Sequence, residues 1–282
     1  GMTTWIHLSD LQIGQSSAAD ASAAQAVEMA VARKPDFVVD TGDCVHGAVD
    51  DTAEEKERVK TLWAGYRKVV RPILKACPLF QVPGNHDCTG STSSIATFLR
   101  QTGRTGKPPW FAATVKGVHL VGLDLTPERH TGGFLPASPQ GRWFRRHLAR
   151  PRRARCIVVA GHYPIFAPPD LVEDDRLHFH EPSSGRGPFL PLLDDASVDL
   201  YLCGHYHSYE RCRYRRLTQV VPACHGPALK FMQSGASRYR RAIDNSERRS
   251  FTCFRLDGDR LHGEAVAVDG EIIDRWWQKP NR

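Results

Sequence analysis

Five short apolar runs in this chain each stop at a residue type that binds metals, and that repetition limits the possible folds more than any other feature. Trp5 to Ser9 precedes Asp10, Phe37 to Thr41 precedes Gly42-Asp43, and Leu79 to Pro83 precedes Gly84-Asn85-His86-Asp87. Cys156 to Ala160 precedes Gly161-His162, and Asp199 to Cys203 precedes Gly204-His205-Tyr206-His207. Short runs rich in Val, Ile, Leu and Phe that end at Gly or an acid read as buried strands of an α/β sheet. Open α/β sheets bind ligands beyond the carboxyl ends of their strands. Carboxylates, an amide and imidazoles are therefore expected on one rim, a donor mixture suited to borderline or hard divalent or trivalent cations. The donors outnumber what one ion needs, which points to two.

Between these runs the chain alternates strands with helices. An Ala-rich helix is expected from about Asp20 to Arg33. A longer one is expected over 52–76, capped by Asp51 or Thr52, with Val59, Leu62, Trp63, Tyr66 and Val69 apolar and Pro72 kinking or ending it. Further helices are expected at Ser94 to Gln101, at Ser138 to Ala149 with Trp143, Phe144 and Leu148 inward, and around Pro188 to Asp194. Val115 to Leu125 reads as two strands turning at Lys116-Gly117. From Gln219 onward strands follow one another: Gln219 to Val221, Ala228 to Gln233, Ser250 to Leu256, Arg260 to Val268 and Glu271 to Trp277. Asp257-Gly258-Asp259 and Asp269-Gly270 supply the hairpin turns. Neither a linker nor a repeat divides the chain, so one domain over residues 1–282 is expected, with two sheets face to face and helices outside.

Composition narrows the class. Hydrophobic residues are 41% and charged residues 24%, as in an ordinary globular protein. No apolar stretch approaches the ~18 residues that cross a bilayer, and no basic segment followed by an apolar core marks a secretory signal. The eight cysteines contain no CxxC pair. Free thiols in a reducing, cytoplasmic setting are expected, with a Cys212–Cys224 pairing as the alternative. The net charge of +7 is concentrated in Arg-rich segments at 142–155, 211–216, 238–241 and 248–249. Few aromatics interleave them, so a solvated basic surface that steers an anionic substrate is expected in preference to a nucleic-acid footprint.

The blocks Asp10-Leu11-Gln12, Gly42-Asp43, Gly84-Asn85-His86-Asp87, Gly161-His162 and Gly204-His205-Tyr206-His207 resemble, in content and order, those of the calcineurin-like metallophosphoesterases. Within that superfamily, Gly204 to Arg211 and Gln140-Gly-Arg-Trp143 resemble the purple acid phosphatase and cyclic-nucleotide phosphodiesterase branch, as does the strand-rich tail from Phe251 to Trp277. The resemblance implies a four-layer α/β/β/α sandwich: two mixed β-sheets flanked by helices, with a dimetal site at the carboxyl ends of the strands. It places Asp10, Asp43 and His207 on one cation, and Asp43, Asn85, His162 and His205 on the other, with Asp43 bridging. A carboxylate can give one oxygen to each of two cations about 3.5–4 Å apart. Asn85 adds a neutral oxygen. His205 and His207, two apart, would share a face if the chain there were extended.

The pattern departs from the common one twice. Many relatives carry His two residues after the first Asp, where this chain has Gln12. Purple acid phosphatases use a Tyr three residues after the bridging Asp, where this chain has His46, so a purple ferric site is not expected. Asp-x-Gln also resembles the manganese-dependent ADP-ribose and CDP-alcohol diphosphatases, in which the Gln is a ligand. Either the Gln12 amide oxygen completes the first site, or His46 does and Gln12 supports it. The metals implied are two divalent or trivalent ions, with Mn, Fe, Zn and Mg as candidates.

The activity implied is hydrolysis of a small phosphate ester by a metal-activated water, with His86 as the general acid at the leaving oxygen. An imidazole can carry a proton at neutral pH. Phosphodiester, nucleotide pyrophosphate and phosphomonoester substrates all remain open, nucleotide derivatives among them. The alternatives are a non-catalytic metal- or phosphoryl-binding protein on the same fold, and a nuclease. Asp87 either orients His86 or bonds its own turn amides. Asp124 ends a strand and reads as structural, and Ser9 and Thr41 read as backbone-bonding residues. The long segment 164–191 suggests a binding loop, with Arg176, His178, His180 and Arg186 as substrate contacts. His46 and His225 are the remaining candidates for the pocket.

Overall fold

The computed structural model describes residues 1–47, 52–88, 93–126, 136–150, 153–166, 186–226, 240–244 and 246–281. Thirteen strands and five helices follow in chain order among these: β1 Thr3–Leu8, α1 Ser17–Ala32, β2 Phe37–Asp40, α2 Ala53–Ala76, β3 Leu79–Gln81, α3 Ser93–Gln101, β4 Phe111–Val115 and β5 Val118–Gly122. Then come α4 Pro139–Leu148, β6 Cys156–Ala160, α5 Arg186–Asp195, β7 Leu200–Leu202, β8 Tyr209–Tyr214 and β9 Leu217–Val221. The last four are β10 Arg240–Asp244, β11 Ser250–Asp257, β12 Arg260–Ala267 and β13 Ile272–Gln278.

The strands form two mixed sheets, in the orders β13-β12-β11-β1-β2-β3 and β10-β8-β9-β7-β6-β5-β4. In the first, β1, β2 and β3 run parallel side by side. In the second, β5, β6, β7 and β9 do so. Strand alternation then separates three cores, because successive side chains point to opposite faces. Trp5, Phe37 and Val39 face Leu120, Val158, Leu200 and Leu202 in the seam between the sheets. Ile6, Leu8 and Val38 turn outward onto Val27 of α1, Trp63 and Tyr66 of α2, and Phe98 of α3. Val121, Ile157, Val159 and Tyr201 turn outward onto Phe144 of α4 and Phe189 of α5. This is the four-layer arrangement expected. In the seam, the Trp5 ring is stacked with Phe37 and Phe254 at 5.6 and 5.2 Å.

Helix boundaries follow their caps. Ser16 accepts a bond from the Ala19 N–H, Thr52 from Glu55, and Ser138 from Gly141. Several details differ from expectation. α2 spans Ala53–Ala76, within the 52–76 expected, but Pro72 does not end it: Ile73 is buried in the core and the Cys77 N–H bonds the Ile73 carbonyl. Its buried stripe is Val59, Trp63, Tyr66, Val70 and Ile73, while Leu62 and Val69 lie on its margin. Trp143 is half-buried, stacked with His147. β8 and β10 were not anticipated, and the strand expected at Ala228 to Gln233 lies outside the described residues. None of the eight cysteines is in a disulfide: the Cys212 thiol meets Glu210 and the Cys224 thiol meets the Asp10 carbonyl, so the two do not pair.

Candidate metal centre

The loops after β1, β2, β3, β6 and β7 meet at one end of the two sheets, and backbone bonds set how they meet. The Asp10 N–H bonds the Gly42 carbonyl, Gln12 bonds Asp43, Ile13 bonds Cys44, and His46 returns a bond to Ile13. Leu11, Ile13, Cys44 and Val45 are buried beneath this zipper. Asp10, Gln12 and Asp43 are thereby brought together. Five of the residues singled out in the sequence have left-handed backbones: Asp10 (φ 52°), Gln12 (45°), Asp43 (52°), His205 (74°) and His207 (63°). Such φ values are uncommon outside glycine and persist only where surroundings hold them. His205 and His207 consequently do not share a strand face, since β7 ends at Leu202 and both lie in the bends beyond it. Two glycines permit the close packing. A Cβ at Gly204 would lie 2.3 Å from Asp10 Oδ2, and one at Gly84 would lie 2.2 Å from Asp43 Oδ1.

Two groups of donors result, and Asp43 belongs to both. Donor atoms of Asp10, Asp43 and His207 lie within 4.8 Å of one another, as do those of Asp43, His162 and His205. Asn85 Oδ1 is 3.1 Å from His162 Nε2 and 3.1 Å from His205 Nδ1. Asp10 Oδ2 accepts from the Ser9 hydroxyl (2.6 Å) and the His205 N–H (3.0 Å). Its Oδ1 is buried with no hydrogen-bond partner and lies 3.6 Å from His207 Nε2. A buried, unpaired carboxylate oxygen is costly unless a cation completes it, so this donor set fits a metal. His162 Nδ1 donates to the Thr41 carbonyl at 2.8 Å, which leaves Nε2 facing Asp43 Oδ2 at 3.3 Å.

The electrostatics fit cation binding. Burial opposes the charge on Asp43, but His162 and His86 outweigh it and hold the carboxyl well below the usual range. For Asp10, burial is likewise overcome, by the adjacent His207 and His162. Burial alone would lower His162, yet Asp43 and Asp10 push it up to about 10. His205 is lowered to about 3, by burial first and then by the charge on His162. Asp43 and His162 thus face each other across 3.3 Å where either a shared proton or a cation would offset their buried charge.

The remaining candidates fall into distinct places. Gln12 lies within the first group, its Nε2 3.0 Å from His207 Nε2 and 3.4 Å from Asp43 Oδ2. Its Oε1 faces His46 Nδ1 at 3.3 Å, so His46 stands on the far side of the Gln12 amide. The His86 N–H bonds Asp43 Oδ1 at 2.8 Å, its Nδ1 donates to the Gly47 carbonyl at 2.7 Å, and its ring stacks on His46 at 4.9 Å. Since a carbonyl can only accept, Nε2 is the His86 nitrogen left to carry a transferable proton. Asp87 accepts from the Gly84 and Val45 amides, and Asp124 from the Thr126 amide and hydroxyl. Both hold turns. His225 follows Cys224 and is half-buried. Arg186 begins α5, while Arg176, His178 and His180 lie outside the described residues.

Ser9 and Thr41 correct the sequence reading. The Ser9 hydroxyl bonds the Asp10 carboxylate, and the Thr41 hydroxyl bonds His7 at 2.8 Å. The Ser9 role was signalled only by its adjacency to Asp10. Arg249, grouped with the surface arginines, is 1% exposed and donates to the Asp10 carbonyl.

Residues 4–209 match the calcineurin-like phosphoesterase family, and the chain belongs to that family. Human serine/threonine-protein phosphatase CPPED1 is 29% identical over 200 residues, covering 70% of this chain and 61% of the relative. The chain thus spans less than two thirds of that relative's length. The structure of purple acid phosphatase PPD1 from yellow lupin superposes with a TM-score of 0.75 at 13% identity, over 99% of this chain and 54% of that one. GAP50, the anchor in the inner membrane complex of Plasmodium, superposes with a TM-score of 0.72 at 18% identity, over 100% and 90%. The architecture expected from the sequence is therefore that of the family.

Proposed function

We propose that this chain hydrolyses phosphate esters at a dinuclear metal centre. Asp10, Gln12, Asp43 and His207 would hold one cation, and Asp43, Asn85, His162 and His205 the other. The observation that carries the reading is the membership of Asp43 in both donor groups. Two cations, when bound, supply charge neutralisation at the phosphoryl oxygens and a water acidic enough to attack near neutral pH. The chain supplies the rest. Asp43 faces both sites while the His86 N–H fixes its Oδ1. His86, locked with Nδ1 on the Gly47 carbonyl, would present Nε2–H to the leaving oxygen. For Gln12 to serve as a ligand its amide turns over, placing Oε1 toward His207 and Nε2 toward His46 Nδ1, which then accepts. His46 is then a support for Gln12 and for the His86 ring. His178, His180 and His225 are proposed as substrate contacts.

The two sheets share a buried seam, and each contributes donors, which supports reading residues 1–282 as one domain. Mn, Fe, Zn and Mg are the candidate ions. The name of CPPED1 adds phosphorylated serine or threonine to the candidate substrates, beside nucleotide diesters and pyrophosphates. The likeness to GAP50 shows that this fold also occurs in an anchor protein, so the site and not the fold must carry the activity. Here donors for two cations and His86 stand together, which favours hydrolysis over binding alone. No helix among the described residues is long and apolar enough to cross a membrane.

The test is a panel of phosphopeptide, nitrophenyl phosphate, bis-nitrophenyl phosphate and nucleotide pyrophosphate substrates, offered to the chain loaded with each candidate ion. Hydrolysis that a chelator abolishes is expected. A fully loaded chain that cleaves none of them would favour the non-catalytic reading.

A further inference from the structure

Arg249 precedes β11 and is among the largest fully buried side chains, at 1% exposure. Its guanidinium spends its donors on three neutral oxygens: Nε on Ser22 Oγ of α1 (2.8 Å), Nη1 on the Asp10 carbonyl (2.8 Å) and Nη2 on the Leu11 carbonyl (3.2 Å). Among the described residues no carboxylate forms an ion pair with it. Taking a guanidinium out of water is costly, and these neutral acceptors offset that only in part. A surface arginine would face no such cost, so the placement calls for a reason.

The bonds give one. Asp10 and Gln12 both have left-handed backbones, at φ 52° and 45°, with Leu11 between them. Without a constraint the loop would relax toward ordinary φ values, and both side chains would swing away from His207. On one side the loop is tied by the bonds from Asp10 and Gln12 to Gly42 and Asp43. On the other, Arg249 clamps two consecutive carbonyls and ties them to α1, with the Cys224 thiol adding a contact to the Asp10 carbonyl at 3.2 Å. We propose that Arg249 is a positioning residue that fixes the Asp10–Gln12 loop for the first cation. This rests on the dinuclear reading above. Two parallel bonds to consecutive carbonyls need the planar fork of arginine, which a lysine ammonium cannot reproduce. Of the second cation's donors, Asn85, His162 and His205 are not bonded to Arg249, while Asp43 is shared by both groups. The clamp should therefore act mainly on the first site and only weakly on the other.

The test is isothermal titration of the full chain with Mn²⁺ alone, comparing wild type, Arg249→Lys, Arg249→Gln and Ser22→Ala. His205→Ala serves to assign which binding step belongs to which donor group. Supporting residues around metal ligands typically contribute 10- to 100-fold in affinity. Both Arg249 variants should lose roughly that factor at the Asp10–His207 site and less than about threefold at the other. Ser22→Ala, which frees only Nε, should show a smaller loss at the same site. It serves as the readout if the Arg249 variants fail to fold. Equal weakening of both sites, or no change at either, would overturn the proposal. A wild-type chain that takes up one cation or none contradicts the dinuclear reading itself, and the proposal with it.

Discussion

At the scale of residues, His86 has the most specific expected behaviour. Its Nδ1 is committed to the Gly47 carbonyl, so any proton it delivers comes from Nε2. His86→Ala should retain both cations and lose roughly 10²–10⁴ in rate. The loss should be large on alkyl or nucleoside esters, whose leaving oxygens are strongly basic, and small on nitrophenyl esters. Equal losses on the two would mean that His86 positions phosphate and does not protonate the leaving group. His162 makes a second prediction. Its imidazole is held at about 10 while the site is metal-free, so below that pH it carries a proton. A ligating imidazole must be neutral. Binding should release this proton at pH 8, and apparent affinity should fall about tenfold per unit as pH decreases. His205, already lowered to about 3, contributes none in that range. Calorimetry in two buffers of different ionisation enthalpy measures the count, and a value of zero would contradict the His162 assignment.

At the scale of elements, what holds the centre together is the packing of loops against one another. Gly204→Ala would drive a methyl to 2.3 Å from Asp10 Oδ2 and 2.0 Å from Ser9 Oγ. We expect the Asp10–His207 site to weaken by about tenfold or more, with circular dichroism unchanged. Undiminished affinity would mean that the loops can separate freely. This scale also shows what was readable in advance. Four of the five ligand-bearing strands were legible because burial on both faces forces continuous apolar runs, which a sequence displays directly; β3, at the sheet edge and partly buried, was marked by the Gly-Asn-His-Asp that follows it. β8 was not legible, because its Arg211 is satisfied by a partner distant in sequence: it bonds Asp274 of β13 at 2.7 Å. Such pairing makes a polar run tolerable in a sheet but leaves no periodicity to detect. The left-handed turns at His205 and His207 were equally hidden. Two histidines spaced by one residue suggest a shared strand face, and only the loop packing shows that both lie past the strand's end.

At the scale of the whole molecule, the Arg-rich segments form less of a continuous basic surface than the sequence suggests, although the net charge stays at +7. Arg211 pairs with Asp274, Arg215 with Asp194, and Arg248 with Asp244, Asp269 and Glu271, while Arg249 is buried behind Asp10. A sequence count treats these as one basic surface. The fold spends several of them in ion pairs and one inside the site, which further thins a nucleic-acid footprint. Donors from loops of both sheets converge on Asp43, so the centre depends on how the two sheets are packed. Metal content per chain, measured by elemental analysis on wild type and Asp43→Asn after saturation and desalting, tests this most directly. The account predicts two ions per wild-type chain, and loss at both sites in the variant. One ion in a fully active wild type, or two retained by Asp43→Asn at full rate, would contradict it.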